Sequence, residues 1–209
     1  MVVALYDLDK TLVRRATFTP FLVFAARRLA PLRLLFLPVW VLLMLGYRFG
    51  FYGRDQLKTA GMHMMVGRRP LSVLRDVGRA FADAHIAKAG WNDTVMTLLA
   101  EDRARGAAIV MATAAFDFYA DAFAERLGIA HVIATRWDGW AIEGTNCYGE
   151  EKRRRVEEWL AGRSPKLRFV SDSFADAPLL DLVDDPVFVT GDMRKRRRAE
   201  RRGWRVVSS

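Results

Sequence analysis

Cysteine is almost missing from this chain of 209 residues: Cys147 stands alone, so no internal disulfide can form and a disulfide-stapled scaffold is excluded. Histidine is nearly as scarce. His63, His85 and His131 fall at no metal-ligand spacing, so they and Cys147 read as structural residues rather than zinc ligands. There is no internal repeat and no low-complexity linker, which sets aside solenoids and tethered modules. Long uncharged runs are lacking too. Leu34 to Tyr47 holds 14 residues without a charge, and as a helix it would reach about 21 Å against roughly 30 Å of bilayer hydrocarbon. Acidic residues are the minority, 24 against 33 Lys and Arg, and the net charge of +9 favours anionic partners: phosphorylated small molecules, acidic lipid or nucleic acid.

What the chain does have is apolar content, 52% of its residues, enough for one substantial core and a small second module. The stretch VVALYDLDKTL, Val2 to Leu12, is the most informative. Its apolar, β-prone start reads as a buried strand of an α/β sheet, and its end delivers Asp7 and Asp9, one residue apart, followed by Thr11. Such sheets carry their chemistry at the carboxyl ends of strands, where one carboxylate can attack while its neighbour moves protons. A strand beginning at residue 2 leaves no room for a signal peptide. The expected location is therefore the cytoplasm or, for a peripheral or monotopic protein, the inner face of the cytoplasmic membrane.

Residues 13 to 86 interrupt the α/β pattern with strongly apolar, helix-like sequence. After it, Trp91 to Arg105 reads as a helix ended by Gly106, and Ala107 to Ala112 as a second strand that delivers Thr113 and Ala114. Phe116 to Leu127 is a crossover helix stopped by Gly128. Ile129 to Trp137 is a third strand, and Asp138-Gly139 between two tryptophans predicts a two-residue hairpin whose antiparallel ribbon ends near Gly144. Lys152 then enters a helix. Leu167 to Val170 is a fourth strand running into SDSFADAPLL, where Ser173 and Asp176 also have capping-box spacing. Pro186 to Val189, the basic helix Met193 to Arg202 and the strand Trp204 to Val207 complete the chain.

Four patterns thus follow one another in order: D-x-D-x-T, an apolar strand ending in Thr, a Lys at a helix start, and SDSxxD. Together they resemble motifs I to IV of the haloacid dehalogenase (HAD) superfamily of aspartate-nucleophile phosphatases, and within it the phosphoserine-phosphatase-like branch, subfamily IB. The resemblance implies a Rossmann-like three-layer α/β sandwich with a mostly parallel sheet, a catalytic core from residues 1–13 and 87–209, and a helical cap over 14–86. It implies hydrolysis of a phosphomonoester through an aspartyl-phosphate. In that scheme Asp7 attacks, Asp9 is the acid and base, and Thr113, the Ala114 N–H and Lys152 hold the phosphoryl group. Mg²⁺ is bound by Asp7, the Asp9 carbonyl and Asp172, and Thr11, Ser173 and Asp176 support the site. Lys10 departs from the family, where many relatives have Gly or Ser.

The substrate side is more open. Phosphoserine phosphatases place an acidic residue shortly after motif I to hold an amino group, whereas here Val13, Arg14, Arg15 and Ala16 follow Leu12. The apolar cap with basic fringes looks more like the phosphatidylglycerophosphate phosphatase group of the same branch. Leu34 to Tyr47, fenced by Arg33 and Arg48, is then either an interfacial or re-entrant segment, with Arg27, Arg28, Arg33, Arg48 and Arg54 at the headgroups of an anionic membrane, or a buried cap helix. The run of basic residues from Arg194 to Arg202 is either a solvated face or a second adhesion to anionic lipid. A soluble small-metabolite phosphatase and a non-catalytic HAD-like binding module are the alternatives. A nucleic-acid arm ranks last, for want of interleaved aromatics or a reading motif. No pattern specifies an oligomeric state.

Overall fold

A computed structural model describes residues 2–208. Its centre is a six-stranded, all-parallel sheet in the order β3-β2-β1-β4-β5-β6. The strands are β1 (Val2–Tyr6), β2 (Ala108–Phe116), β3 (His131–Thr135), β4 (Lys166–Ser171), β5 (Asp185–Val189) and β6 (Arg205–Val207). Successive side chains of β1 enter opposite layers. Val3 and Leu5 pack with Val156, Leu160 and Phe188, while Ala4 and Tyr6 join the other face. A parallel strand covered on both sides has no polar face, which is why it reads in sequence as an unbroken apolar run.

Helices α1 (Phe18–Leu29), α2 (Leu37–Arg48), α3 (Arg54–Met65) and α4 (Leu71–Ala89) follow β1, with a 3₁₀ segment at Pro31–Phe36 running directly into α2. Then come α5 (Asp93–Ala104), α6 (Asp117–Arg126), α7 (Glu150–Leu160), the short α8 (Ala177–Leu180) and α9 (Met193–Glu200). The inserted helices share a core with the sheet. Phe21, Phe81, Phe118, Tyr119 and Phe123 form one buried aromatic cluster across α1, α4 and α6. Gly78 on α4 permits that approach, since a Cβ there would lie 2.4 Å from the Phe118 carbonyl oxygen.

Two local expectations change. The hairpin after β3 is a single antiparallel bridge, Trp137 to Ile142, and β3 itself ends at Thr135. Asp138 Oδ1 accepts from the N–H groups of both Trp140 and Ala141, closing an Asx turn, and the Trp140 ring stacks on His63 at 3.8 Å. Two backbone hydrogen bonds, Asp138 N to the Ala141 carbonyl and Glu143 N to the Arg136 carbonyl, flank the bridge, and the stack holds the turn beyond them. The Ser173/Asp176 capping box is only half made: Ser173 Oγ accepts from Ala175 N, but Asp176 turns away to Ser171 and Lys152.

The buried-helix alternative for Leu34 to Tyr47 also fails. Only 6% of Pro31–Arg48 is buried, and Trp40 is the one buried residue of α2. Trp40 packs on Gly61 of α3, where a Cβ would meet its ring at 2.8 Å, and Arg33 donates to the carbonyls of His63 and Met64 at 2.6 and 3.0 Å. The segment is pinned to the protein along one side and bare along the other.

Helix α7 closes on Ala161 in the left-handed region, φ 48°, a place that glycine fills without a Cβ penalty. Ala161 is exposed and packs on nothing that glycine would lose. Ala161→Gly is therefore expected to stabilise the fold by about 0.5–1 kcal/mol and raise Tm by about 2 °C. Differential scanning calorimetry checks this, and a lowered Tm would contradict it.

Candidate active site

The chain leaves β1, builds β2 and β3 on one side, and returns to build β4 on the other. The sheet's direction of winding therefore reverses between β1 and β4, which is where open α/β sheets leave a crevice beyond their carboxyl ends. Tyr6 pairs with Val170, so the turn beginning at Asp7 lies beside the loop carrying Asp172. The two are tied together: the Asp7 N–H donates to the Val170 carbonyl at 3.0 Å, and Asp172 N donates to Thr11 Oγ1 at 3.1 Å. Lys10 turns the first loop through φ 56°, an uncommon conformation for a side-chain-bearing residue.

A cavity of about 220 Å³ opens over this junction, lined by Asp7, Asp9, Ala114, Lys152, Asp172, Ser173 and Asp176, together with Lys10, Ala16, Arg54 and Tyr148. Of the residues singled out from sequence, Thr11 and Thr113 stand behind it, both fully buried. Thr113 lies in an irregularity of β2. The pairing passes from Ala112 with Ile133 to Phe116 with Thr135, so three residues of β2 oppose one of β3. This bulge takes Thr113, Ala114 and Ala115 out of the ladder. Ala115 N is satisfied by Thr113 Oγ1 at 3.1 Å, which leaves the Thr113 hydroxyl proton available to donate elsewhere.

Lys152 reaches in from the first turn of α7 and is 1% exposed. Its Nζ donates to Asp7 Oδ1 at 3.0 Å and to Asp176 Oδ2 at 2.9 Å. Asp9 points its Oδ1 at the Thr17 N–H, 2.7 Å away at the start of α1, where a helix N-terminus favours negative charge. Four carboxylates, Asp7, Asp9, Asp172 and Asp176, thus surround one buried ammonium, with Lys10 more exposed and Arg54 half-buried. The imbalance shows in the acidities. Burial, and then Asp176, Asp9 and Asp172, push the Asp7 carboxyl up to about 7 against the pull of Lys152. Asp172 rises to about 6, again by burial first, with Lys10 and Lys195 opposing. Burial works against the Lys152 ammonium, yet Asp176 and Asp7 outweigh it and hold its pKa above the ordinary lysine value.

Such a site calls for another positive charge. Asp176 Oδ1 is buried with no hydrogen-bond partner. Among the described residues, no three His, Cys, Asp or Glu side chains converge as a ready cage. Mg²⁺ does not need one, since it binds through one or two carboxylates and keeps several waters. Hard oxygen donors with excess negative charge and an unpaired buried oxygen fit that ion.

A model of the family described as haloacid dehalogenase-like hydrolase matches residues 4–181. The chain belongs to this family. Among curated relatives, the histidinol-phosphatase of Neisseria meningitidis serogroup C is 37% identical over 95 residues, 39% of this chain and 42% of that protein. The chain spans less than half the length of that relative. A Bordetella pertussis protein of unknown function has the same fold, with a TM-score of 0.82, 27% identity and coverage of 99% and 97% of the two chains. A substrate-bound phosphoserine phosphatase superposes with a TM-score of 0.66 at 15% identity, covering 98% and 91%. That likeness is one of fold.

Arg54, expected at lipid headgroups, instead lines the catalytic cavity, and Lys58 and Tyr148 join the site without any motif. Arg54 and Lys58 stand four apart at the start of α3, a spacing that places both on one helix face. Tyr148 carries no comparable signal; its ring lies 4.2 Å from the Arg54 guanidinium.

The raised carboxyls fix the sign of a pH dependence. Above an unfolded value near 3.8, folded Asp7 and Asp172 hold protons that the unfolded chain has lost, so their contribution to stability falls as pH rises through about 4 to 7. A divalent cation competes with those protons. Saturating Mg²⁺ is expected to raise Tm by about 5 °C or more at pH 8 and by much less at pH 5. Thermal scans with Mg²⁺ and with chelator at both pH values test this, and equal shifts would contradict it.

Proposed function

We propose that this hydrolase cleaves phosphomonoesters with Mg²⁺ through a phosphorylated Asp7, and that it works on a lipid phosphate at an anionic membrane surface. The observation that carries the chemistry is the Asp7 carboxylate, clamped by buried Lys152 at 3.0 Å and facing a cavity shared with Asp9 and Asp172. Lys152 occupies Asp7 Oδ1, so Oδ2 is the oxygen free to attack phosphorus in line. The bond from phosphorus to the alcohol oxygen breaks as Asp9 gives that oxygen its proton. Thr17 holds Asp9 Oδ1, leaving Oδ2 to carry the proton. A water then gives a proton to Asp9 and attacks phosphorus, which returns Asp7 as carboxylate and releases inorganic phosphate. The Thr113 hydroxyl and the Ala114 N–H in the β2 bulge bind phosphoryl oxygens, and Lys152 pulls Asp7 toward its charged form. Held by Asp7, Asp172 and the Asp9 carbonyl, Mg²⁺ would supply positive charge that offsets repulsion between carboxylate and phosphate.

The substrate reading rests on the bare side of α2. Nine of the thirteen large apolar side chains left exposed among the described residues lie between Leu32 and Phe51, with Leu32, Leu35, Phe49 and Phe51 each more than 70% exposed. A contiguous apolar surface of this kind marks a binding face. Exposed Arg27, Arg28 and Arg48 flank it, suiting anionic headgroups. A second cavity of about 160 Å³ runs from Asp9 to Tyr47 at the end of α2, lined also by Phe18, Arg54, Leu57, Lys58 and Tyr119. It has room for a headgroup alcohol, while acyl chains would remain outside along α2. This supports the likeness to the phosphatidylglycerophosphate phosphatase group. An amino-bearing leaving group fits less well, because none of Val13, Arg14, Arg15 and Ala16 after the first motif is acidic, Ala16 of that run lines the cavity, and Arg54 and Lys58 beside it are basic.

Asp7→Asn is expected to fold and lose turnover, whereas Asp9→Asn slows both steps by about 10² to 10⁴. Chelation should abolish the wild-type rate and added Mg²⁺ restore it. Near-normal turnover by a folded Asp7→Asn protein, judged by circular dichroism, would refute the mechanism.

The membrane reading has its own test. Leu35 and Leu42 are exposed, whereas Leu43 is half-buried against the core. A Leu35→Glu, Leu42→Glu double variant should keep its Tm and lose most co-sedimentation with vesicles rich in phosphatidylglycerol. Equal partitioning of both proteins, with phosphoserine hydrolysed faster than any lipid phosphate, would return the enzyme to soluble substrates.

A further inference from the structure

Lys58 is a charged side chain on α3 that is 4% exposed, and no step above uses it. Its Nζ donates to the Ala114 carbonyl at 2.7 Å and to Asn146 Oδ1 at 2.8 Å, while the Phe116 ring lies 4.0 Å away on another side. All three N–H bonds of the ammonium therefore have somewhere to point. Thr135 Oγ1 reaches the same two acceptors, at 2.9 and 2.7 Å, and accepts from Cys147 N at 3.0 Å. A hydroxyl has one proton, so Thr135 can serve only one of the two acceptors at a time. Both rely on Lys58 for a permanent donor. Asp55 on the same helix accepts from the Asn146 N–H at 3.1 Å, so α3 grips Asn146 twice.

We propose that Lys58 is a positioning residue for the phosphoryl-binding turn: it anchors the Ala114 carbonyl to α3, so that the Thr113–Ala115 bulge presents hydrogen-bond donors to the catalytic cavity. The proposal rests on the reading of Thr113 and Ala114 given above. A free carbonyl in this turn can swing toward the phosphoryl oxygens, where its negative end repels them. Anchored by an ammonium on the far side, it cannot. Ala114 and Asp9 line both the catalytic cavity and the smaller one that Lys58 helps to wall. A helix of the insert thereby sets the shape of a loop of the sheet. Burial, and then Arg54, draw the Lys58 pKa down to about 7 while nearby Asp9 and Asp55 pull the other way, and two N–H bonds remain for the two carbonyl acceptors in either protonation state.

The test uses full-length protein with Mg²⁺ and two readouts, amide hydrogen exchange across residues 112–118 and binding of inorganic phosphate by calorimetry. Lys58→Met should leave the far-UV spectrum unchanged, speed exchange in that turn more than elsewhere, and weaken phosphate binding about tenfold. Lys58→Arg, which keeps charge and donors, should recover most of both. Should Lys58→Met not fold, Lys58→Gln removes the charge more gently and is judged by the same two readouts. A folded variant whose turn exchanges as slowly as wild type and whose phosphate affinity is unchanged overturns the proposal and leaves the phosphatase reading intact. Wild-type protein that binds no inorganic phosphate overturns both.

Discussion

Four carboxylates and one ammonium meet at the reversal between β1 and β4, and the rest of the structure serves to keep them there. Left to themselves, carboxylates crowded in a buried space separate or take up protons. Three features hold them. The parallel register of β1 and β4 fixes the loops side by side, the Thr11 to Asp172 hydrogen bond ties their tips, and Lys152 bridges Asp7 to Asp176 from a third element. Removing Lys152 would leave two buried anions facing each other, so the ion pair is a condition for the site to exist rather than a net source of stability. The same charge excess makes the cavity receptive to a hard divalent cation.

The proposed phosphoryl side depends on a departure from regularity. In an unbroken strand the N–H groups of Thr113 to Ala115 would point alternately to the two edges of β2, and those toward β3 would be spent on the ladder. The bulge takes these residues out of that ladder, Ala115 N turns to Thr113 Oγ1, and small side chains at Ala114 and Ala115 leave space for close approach. Freed backbone needs new partners, and they come from far away in sequence: Lys58 and Thr135 reach the Ala114 carbonyl as donors, with Asn146 Oδ1 as the other acceptor of both. The order of the turn is thus a tertiary property.

This division explains what could be read from sequence. Buried parallel strands announce themselves because both faces are apolar, so β1, β2, β4 and β5 and the loops that follow them were legible in the runs ending at Tyr6, Ala112, Val170 and Val189. Residues at those strand ends, Asp7, Asp9, Ala114, Asp172 and Asp176, line one cavity for the same reason. The bulge was not legible: the apolar run reads as a strand ending at Ala112 with Phe116 opening a helix, whereas β2 resumes its pairing at Phe116 beyond the irregularity. Nor was the burial of Lys58, because a lysine on a helix is normally solvated and only contact with Asn146, 88 residues on, covers it. Asp138-Gly139 correctly signalled a turn, yet the two residues of the loop are Gly139 and Trp140, between the hydrogen-bonded Asp138 and Ala141, and the Trp140 ring lies on His63. Hydrophobicity alone could not tell an outward apolar helix from an inward one, so α2 needed the structure.

The way the insert is attached limits how the site can open. A swing of the whole insert about α4 would expose Phe21, Phe81, Phe118, Tyr119 and Phe123, each costing about 1.5–3 kcal/mol, a sum comparable to the entire stability of a domain. The α3 edge carries polar contacts, Arg54 on Tyr148, Asp55 and Lys58 on Asn146, and His63 on Trp140, but it also buries Leu57, Met62 and Met65 in the shared core. Helix α2 is held least, with Trp40 its one buried residue. Motion large enough to admit a substrate is therefore cheapest at α2, which also carries the bare apolar face and reaches the smaller cavity at Tyr47.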